Sequence, residues 1–306
     1  MALLLMTGCE RQEPLTPSLS RNPAESTGDN RERKSDAAPP GSPLPVQGEG
    51  LGERAHAHRI VALTPGLAEL IYAVGAETSL VATVDYADYP DAAKRVPRVG
   101  DAFRVDMEKL LALKPDLVLA WTSGTPPNTV AQIRSLGLRV ESIEERRFDD
   151  VGAALLRMGE LTGREAAAKQ AAQAFAQGIQ ALRDRYAQRR LLRVFVQVNR
   201  EPLYTVNGEH VISDVLSVCR GTNVFADLNQ LAPVVGVEAV LKANPDVILS
   251  TDGTAQEVRE DWHVWPQIRA VKLGHIYAVS PDTTTRATPR LLQGAQAVCA
   301  ALDQAR

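Results

Sequence analysis

Apolar residues in this chain alternate between short continuous runs and helical spacing. The run RIVAL at residues 59–63 predicts a buried strand, and Thr64 followed by Pro65 provides an N-cap and a proline at the first helical position. The apolar residues that follow share one helical face, and they are Leu67, Leu70, Ile71 and Val74. Gly75 ends this helix, and strands continue to alternate with helices, which predicts βαβ units with mainly parallel sheets.

One helix–strand unit occurs twice. MEKLLALKPDLVLAW at 107–121 and VEAVLKANPDVILST at 237–251 both predict a helix that stops before a Pro-Asp pair and leads into a buried strand. Two related lobes that reuse one module account for the Pro-Asp pairs. Each copy also has a glutamate seven residues before its proline, Glu108 in the first and Glu238 in the second. Stabilisation of the helix dipole is one explanation for these acids, and a symmetric docking surface for a basic partner is the other.

The segment between the two α/β regions predicts a long helix. Residues 149–190 contain no proline and are rich in alanine, glutamine and arginine. Apolar positions recur there at three- and four-residue spacing, at Ala168, Ala171, Phe175, Ile179, Leu182 and Tyr186. The pattern predicts an amphipathic helix of about 25 residues, or about 38 Å. A helix of that length between two lobes is a rigid strut, whereas a Gly/Ser linker would be a hinge.

These patterns predict two Rossmann-like α/β lobes joined by a long rigid helix. The expected bounds are 58–148 for the N-terminal lobe, 149–190 for the linking helices and 191–306 for the C-terminal lobe. Residues 10–57 hold seven of the 19 prolines and no aromatic residue. Such a composition buries too little apolar surface to offset its ordering entropy, so we expect a disordered tether there.

Composition and motifs exclude several classes of function. The 306 residues are 44% hydrophobic and 23% charged, a balance typical of globular proteins. The net charge of −3 argues against nucleic-acid binding, and the sequence has no apolar run long enough to predict a membrane-spanning helix. There is no G-x-G-x-x-G after a strand, no Walker loop and no G-x-S-x-G elbow, and the histidines lack the spacing of zinc ligands. We therefore expect neither an enzyme nor a metal site.

Cysteine usage predicts an oxidising compartment. The three cysteines are Cys9, Cys219 and Cys299, and none belongs to a C-x-x-C pair. ALLLM followed by TGC, in residues 1–9, resembles a truncated lipoprotein signal that ends at a lipobox cysteine, although Met6 stands where leucine is usual and no basic residue precedes the apolar run. We expect lipidation of Cys9 plus one disulfide elsewhere, and the alternative is a disordered tail with a chance cysteine.

Five segments together resemble a known family. They are LTPGLAEL, VDYADYP, MEKLLALKPDLVLAW, ISDVLSVCRGTNVF and ATPRLLQGAQAVCAAL. From about residue 58 to the end, they resemble the periplasmic cobalamin-binding proteins of ABC importers, within the helical-backbone (class III) substrate-binding proteins. The resemblance implies two α/β lobes on a rigid helix with a ligand cleft between them. It also implies that Glu108 and Glu238 dock onto arginines of a permease dimer, and that Cys219 pairs with Cys299.

The resemblance further implies ligand contacts on both walls of the cleft. On the first lobe they are Pro65, Tyr86, Phe103 and Trp121, all at or just after the carboxyl ends of predicted strands, where open α/β sheets bind ligands. On the second lobe they are Tyr204, Phe225 and Arg286. Some positions that are aromatic in a close relative are not aromatic here, namely Ala232, Thr283 and Thr284. The second wall is therefore less aromatic, which leaves the ligand open between cobalamin, cobinamide, a cobalamin with another lower ligand and a different tetrapyrrole.

We therefore expect a monomeric, periplasmic, lipid-anchored binding protein that captures a corrinoid and delivers it to an ABC permease. The corrinoid is its transported ligand, and no cofactor is expected. A haem or ferric-siderophore receptor of the same fold is the alternative. Tyr86 or Tyr204 would then ligate haem iron, whereas siderophore sites use several arginines and only Arg286 is clear here.

Overall fold

The computed structural model describes residues 56–101, 104–144 and 146–306. The predicted signal ending at Cys9, residues 10–55 of the predicted tether and the candidate ligand residue Phe103 lie outside the described residues. Ala57, assigned to the tether from the sequence, is buried, and its N–H donates to the Leu161 carbonyl at 2.7 Å. The ordered N-terminal lobe therefore includes Ala57.

The N-terminal lobe is built on a parallel sheet. Within the described ranges its strands are β1 (Ile60–Ala62), β2 (Leu80–Ala82), β3 (Leu117–Trp121) and β4 (Val140–Ile143), in the order β2-β1-β3-β4. The helices that cover it are α1 (Pro65–Ala73), α2 (Met107–Ala112) and α3 (Pro127–Ser135). Thr64 caps α1 as predicted, because its side chain accepts from the Leu67 N–H. Strands β1 and β3 are almost entirely buried, as expected for central strands covered on both faces.

The link between the lobes is a pair of packed helices. They are α4 (Phe148–Thr162) and α5 (Glu165–Tyr186). The sequence predicted one helix of about 25 residues, whereas α5 has 22 and extends about 33 Å. Gly163, with a φ of 68°, ends α4 in the left-handed conformation. A β-carbon at Gly159 would lie 2.5 Å from the Ala168 β-carbon, so glycine there permits the close approach of the two helices.

The C-terminal lobe repeats the plan of the first. Its strands are β5 (Leu192–Gln197), β6 (Gly221–Asn223), β7 (Val247–Ser250) and β8 (Ile276–Ala278), all parallel and in the order β6-β5-β7-β8. Its helices in the described ranges are α6 (Val211–Val218), α7 (Val237–Ala243), α8 (Ala255–Trp262), α9 (Arg269–Leu273), α10 (Pro281–Thr284) and α11 (Leu291–Gln304). In both sheets, the strand that comes first in the chain is second in the spatial order. The shared topology confirms two similar Rossmann-like lobes.

The repeated Pro-Asp pairs have a structural role in both lobes. The Asp116 carboxylate accepts from the Arg59 N–H at 3.1 Å, where the chain enters β1. The Asp246 carboxylate accepts from the Arg193 N–H at 2.9 Å, near the start of β5. Each aspartate therefore ties the loop before one strand to the beginning of the neighbouring strand.

A single hydrophobic cluster runs through both lobes and the linking helices. It includes Leu67 of α1, Leu155 of α4, Phe175 of α5 and Val194 of β5. The Phe148 and Phe175 rings of the two linking helices meet edge to face at 6.0 Å. Because the core is continuous, any change in the angle between the lobes requires repacking of buried side chains.

The structure contains the disulfide that the resemblance implied. Cys219, which follows α6, is bonded to Cys299 of α11, and both residues are fully buried. The bond closes a loop with a sequence separation of 80 and ties two helices of the C-terminal lobe together.

Replacing both cysteines, Cys219→Ala with Cys299→Ala, should lower the free energy of unfolding by about 4 kcal/mol, because the unfolded chain regains the freedom of the closed loop. Urea denaturation of the oxidised protein and the variant measures this difference. Wild-type protein unfolded in the presence of a reductant is the control, and it should lose stability in the same direction. Equal unfolding free energies for the oxidised wild type and the variant would contradict the prediction.

Candidate functional site

The predicted ligand residues of the first lobe lie along one edge of its sheet. Tyr86 follows β2, Pro65 begins the helix after β1, and Trp121 is the last residue of β3. These three strands are neighbours in the order β2-β1-β3, so their carboxyl ends form a continuous edge. The structure therefore brings these three residues to the place where open α/β sheets bind ligands.

Tyr86 has the properties of a contact residue rather than a core residue. The residue is 79% exposed, and its backbone φ of 64° lies in the left-handed region. Neighbouring backbone hydrogen bonds hold this loop, with the Asp85 N–H donating to the Gly100 carbonyl at 2.8 Å. A large aromatic ring held exposed on a strained backbone is a feature found at binding surfaces.

Trp121 is held in one orientation by its surroundings. The ring lies over Gly124, where an added β-carbon would fall 1.8 Å from a ring carbon. The indole Nε1 donates to Glu144 Oε1 at 3.3 Å, and Glu144 also forms an ion pair with Arg146 at 3.4 Å. Trp121 is half-buried against the main core, so it serves packing and leaves part of its ring at the sheet edge.

The predicted residues of the second lobe occupy the corresponding edge. Tyr204 is half-buried in a short antiparallel ribbon, with bridges to Asn199 and Val234. Phe225 follows β6 and packs edge to face on Phe195 at 5.7 Å, so it contributes to the outer core of this lobe. The resemblance implied Phe225 as a ligand contact, and this contact gives it a packing role in the structure.

Ion pairs join the two carboxyl edges at both flanks. At one flank, Arg286 after β8 contacts Asp88 after β2 at 3.5 Å. At the other, Arg146 after β4 contacts Glu209, which precedes α6, at 3.3 Å. The two edges therefore face each other across the boundary between the lobes, which agrees with the predicted cleft.

A buried glutamate that sequence reasoning missed lies at this boundary. Glu69 of α1 has a side chain only 3% exposed, and it accepts from Arg286 at 3.0 Å, from Arg290 at 3.1 Å and from the Thr288 hydroxyl at 2.9 Å. Burial raises the pKa of the Glu69 carboxyl above its usual value, and the three donors oppose that shift. In the sequence, Glu69 stands beside the apolar face of α1, and this was the one sign that its carboxylate is buried. Its partners could not be identified from the sequence because they lie more than 200 residues away.

Glu108 and Glu238 occupy matching places on the two lobes. Each is the second residue of its helix, α2 or α7, and each is exposed. Neither carboxylate forms an ion pair with another residue in the described ranges, whereas the neighbouring Lys109 pairs with Asp106 at 3.3 Å. Both are therefore accessible to a partner, and the helix dipole favours an acid at both places.

A separate cavity of about 650 Å³ lies in the C-terminal lobe, beside the carboxyl ends of β5 and β7. Its lining includes Gln197, Arg200, Asp252 and Trp265. None of the predicted ligand residues that the structure describes lines this cavity. The buried indole of Trp262 donates to Gln197 Oε1 at 2.7 Å, so this tryptophan is a packing residue of the C-terminal lobe.

Groups that could indicate other chemistry have structural roles. His210 caps α6 by accepting from the Ile212 N–H at 3.2 Å, and burial lowers its pKa to about 4. No group of three or more histidine, cysteine or acidic side chains in the described ranges has an arrangement suited to a metal ion. None of the helices in those ranges combines the length and apolarity that a membrane-spanning segment needs.

Comparison with known proteins decides the family. The model of the periplasmic binding protein family matches residues 60–283. The chain belongs to the periplasmic binding protein family. This membership implies a periplasmic location and a binding function, and it confirms the fold that the sequence predicted.

Individual relatives are similar over most of both chains. A vitamin B12-binding protein of Yersinia pestis is 36% identical over 244 residues, which cover 79% of this chain and 85% of the relative. The crystal structure of a periplasmic vitamin B12-binding protein of Vibrio cholerae has a TM-score of 0.75 at 33% identity, covering 81% of this chain and 98% of the other. A periplasmic haem-binding protein in complex with two haems has a TM-score of 0.74 at 26% identity, covering 82% and 99%.

Glu69→Ala should destabilise the protein by about 3 kcal/mol, because it leaves the buried ends of Arg286 and Arg290 without their shared carboxylate. Urea denaturation measures the change in unfolding free energy. Asp91→Ala, which removes an exposed partner of Lys94 on the same lobe, is the matched control and should leave the midpoint nearly unchanged. A midpoint for Glu69→Ala equal to that of the wild type would remove Glu69 from its structural role.

Proposed function

We propose that this protein captures a corrinoid outside the cytoplasmic membrane and delivers it to the permease of an ABC transporter. The observation that carries the proposal is the similarity, over most of both chains, to proteins named for vitamin B12 binding. The facing sheet edges, with Tyr86 and Trp121 on one side and Tyr204 and Arg286 on the other, supply the matching site.

The chemistry of these edges suits a corrin. A corrin is a large, mostly apolar ring fringed by amides, and such a ligand needs apolar faces with a few polar groups that set its orientation. The exposed ring of Tyr86 and the half-buried ring of Trp121 offer flat apolar surfaces. Arg286, whose side chain is 19% exposed, is a hydrogen-bond donor for the amide carbonyls at the ring edge.

Haem binding is the second candidate function. The similar haem-bound structure supports it. Tyr86 or Tyr204 is the residue that would ligate iron. The corrinoid proposal has more support, because the identity with the vitamin B12-binding proteins is 33–36%, against 26% for the haem-binding protein.

Isothermal titration with cyanocobalamin, cobinamide and haem tests the choice of ligand. We expect the wild type to bind a corrinoid more tightly than haem. Gly124→Ala should weaken corrinoid binding about tenfold or more, because the added methyl displaces the Trp121 ring from the sheet edge. Gly152→Ala is the matched control, since an added β-carbon there meets nothing within 4 Å.

Tight binding of haem with none of any corrinoid would reverse the assignment. Equal corrinoid affinities for Gly124→Ala and Gly152→Ala would instead remove Trp121 from the ligand site. The two outcomes are separable because the first is measured on the wild type alone.

Delivery is proposed to use Glu108 and Glu238 as the contacts with the permease. They are exposed, lie at equivalent places on two similar lobes, and suit a two-fold partner that presents arginines. Cys9 lies outside the described residues, and its lipidation remains part of the proposal. Mass spectrometry of membrane-extracted protein is the measurement for that modification.

The double variant Glu108→Ala with Glu238→Ala should retain corrinoid affinity and lose most corrinoid uptake in cells, because the docking charges are removed while the cleft is intact. Radiolabelled uptake and titration of the purified variant measure the two properties. Glu77→Ala with Glu260→Ala, which removes two other exposed glutamates, is the matched control for net charge. Wild-type uptake by the docking variant would refute the role of these residues.

A further inference from the structure

Arg286 lies within a group of carboxylates that come from both lobes. Its Nη1 contacts Glu69 Oε1 at 3.0 Å and Asp88 Oδ1 at 3.5 Å, and its Nη2 contacts Asp282 Oδ1 at 2.6 Å. Glu69 also pairs with Arg290 at 3.1 Å. Two guanidinium groups therefore face three carboxylates. The charge of Lys94 also acts on Asp88, but Lys94 is itself paired with Asp91 at 2.8 Å, so one excess negative charge remains.

The excess negative charge lies on the accessible side of the group. The side chain of Glu69 is 3% exposed and both arginines contact it, so its charge is compensated inside the protein. Asp88 and Asp282 are 50% and 39% exposed, respectively. A molecule that approaches Arg286 from solvent therefore meets two carboxylates beside the one guanidinium.

Asp88 also belongs to the loop that carries the exposed Tyr86 ring. The two residues are separated by Ala87 alone, which is buried and whose carbonyl accepts from Arg98 Nη2 at 2.7 Å. A flat ligand resting on Tyr86 and extending toward Arg286 must therefore place its polar fringe near Asp88.

Arg286 with Asp88 and Asp282 distinguishes neutral amide groups of a ligand from its carboxylates. A primary amide on the ligand accepts from Arg286 through its oxygen and donates to Asp88 or Asp282 through its nitrogen. A ligand carboxylate cannot donate, and it is repelled by the two accessible aspartates. The repulsion is modest because these side chains are partly solvated.

We propose that Asp88, assisted by Asp282, is a specificity determinant that selects macrocycles with uncharged amide fringes over macrocycles with carboxylates. The inference rests on the proposed function, since it requires the ligand to lie between the lobes at Arg286. It assigns a role in selection to residues that neither the repeated motif nor the aromatic pattern of the chain indicated.

A matched pair of ligands tests this selection: cyanocobalamin, and its monocarboxylate isomers in which one peripheral amide has been hydrolysed. The wild type should bind cyanocobalamin roughly two- to five-fold more tightly than the isomer whose acid faces Arg286. Asp88→Asn should bring this affinity ratio close to one, and so should high salt with the wild type. Asp184→Asn is the matched control, because the exposed Asp184 side chain on α5 accepts from Gln180 rather than from Arg286 and should leave the ratio unchanged.

The readout is a ratio of two affinities on one preparation, so partial loss of folded protein does not alter it. A ratio of one for every isomer with the wild type overturns the inference, and so does a ratio that Asp88→Asn leaves unchanged. Either result leaves the proposed function in place if the wild type binds cyanocobalamin. Failure of the wild type to bind any corrinoid overturns the proposed function and the inference together.

Discussion

The continuous hydrophobic core between the lobes is the constraint on which the rest of the structure depends. Helices α4 and α5 pack against each other, α4 also packs against α1 of the first lobe, and α5 packs against α6 and α11 of the second. Interiors packed at this density do not deform gradually, so the lobes keep a defined orientation. The orientation of the two facing sheet edges is consequently set by the packing of the fold.

Polar contacts refine the geometry that the core sets. Glu69, Arg286 and Arg290 meet where the first helix of one lobe approaches the last helix of the other, and Arg146 with Glu209 joins the opposite flank. A buried carboxylate with three donors tolerates little displacement, because each lost donor leaves an uncompensated buried charge. In the proposed selection of ligands, the charges that discriminate are ones that also hold the two edges together.

The two lobes share a repeated helix–strand unit but differ in the residues at their carboxyl edges. The Pro-Asp pairs have the same backbone-anchoring role in both lobes, with Asp116 and Asp246 at equivalent places. The edges differ, since the first carries the exposed Tyr86 ring and the second carries Arg286. The shared module accounts for the fold, and the residues at the carboxyl ends account for the difference in chemistry.

The alternation of strands and helices and the start of α1 at Pro65 could be predicted from the sequence, because each depends on neighbours within a few residues. The two related lobes could also be predicted, because one helix–strand unit recurs at 107–121 and 237–251. The linking segment was only partly predicted, since the packing of α4 on α5 depends on Gly159 meeting Ala168. The sequence predicted that Tyr86 and Trp121 lie at or just after strand ends. The exposure of Tyr86 and the hydrogen bond from Trp121 to Glu144 depend on the assembled sheet. The network of Glu69, Asp88, Arg286 and Arg290 was decided by tertiary structure alone. Glu69 and Asp88 lie 217 and 198 residues before Arg286 in sequence, so these groups come together only when the two lobes pack against each other.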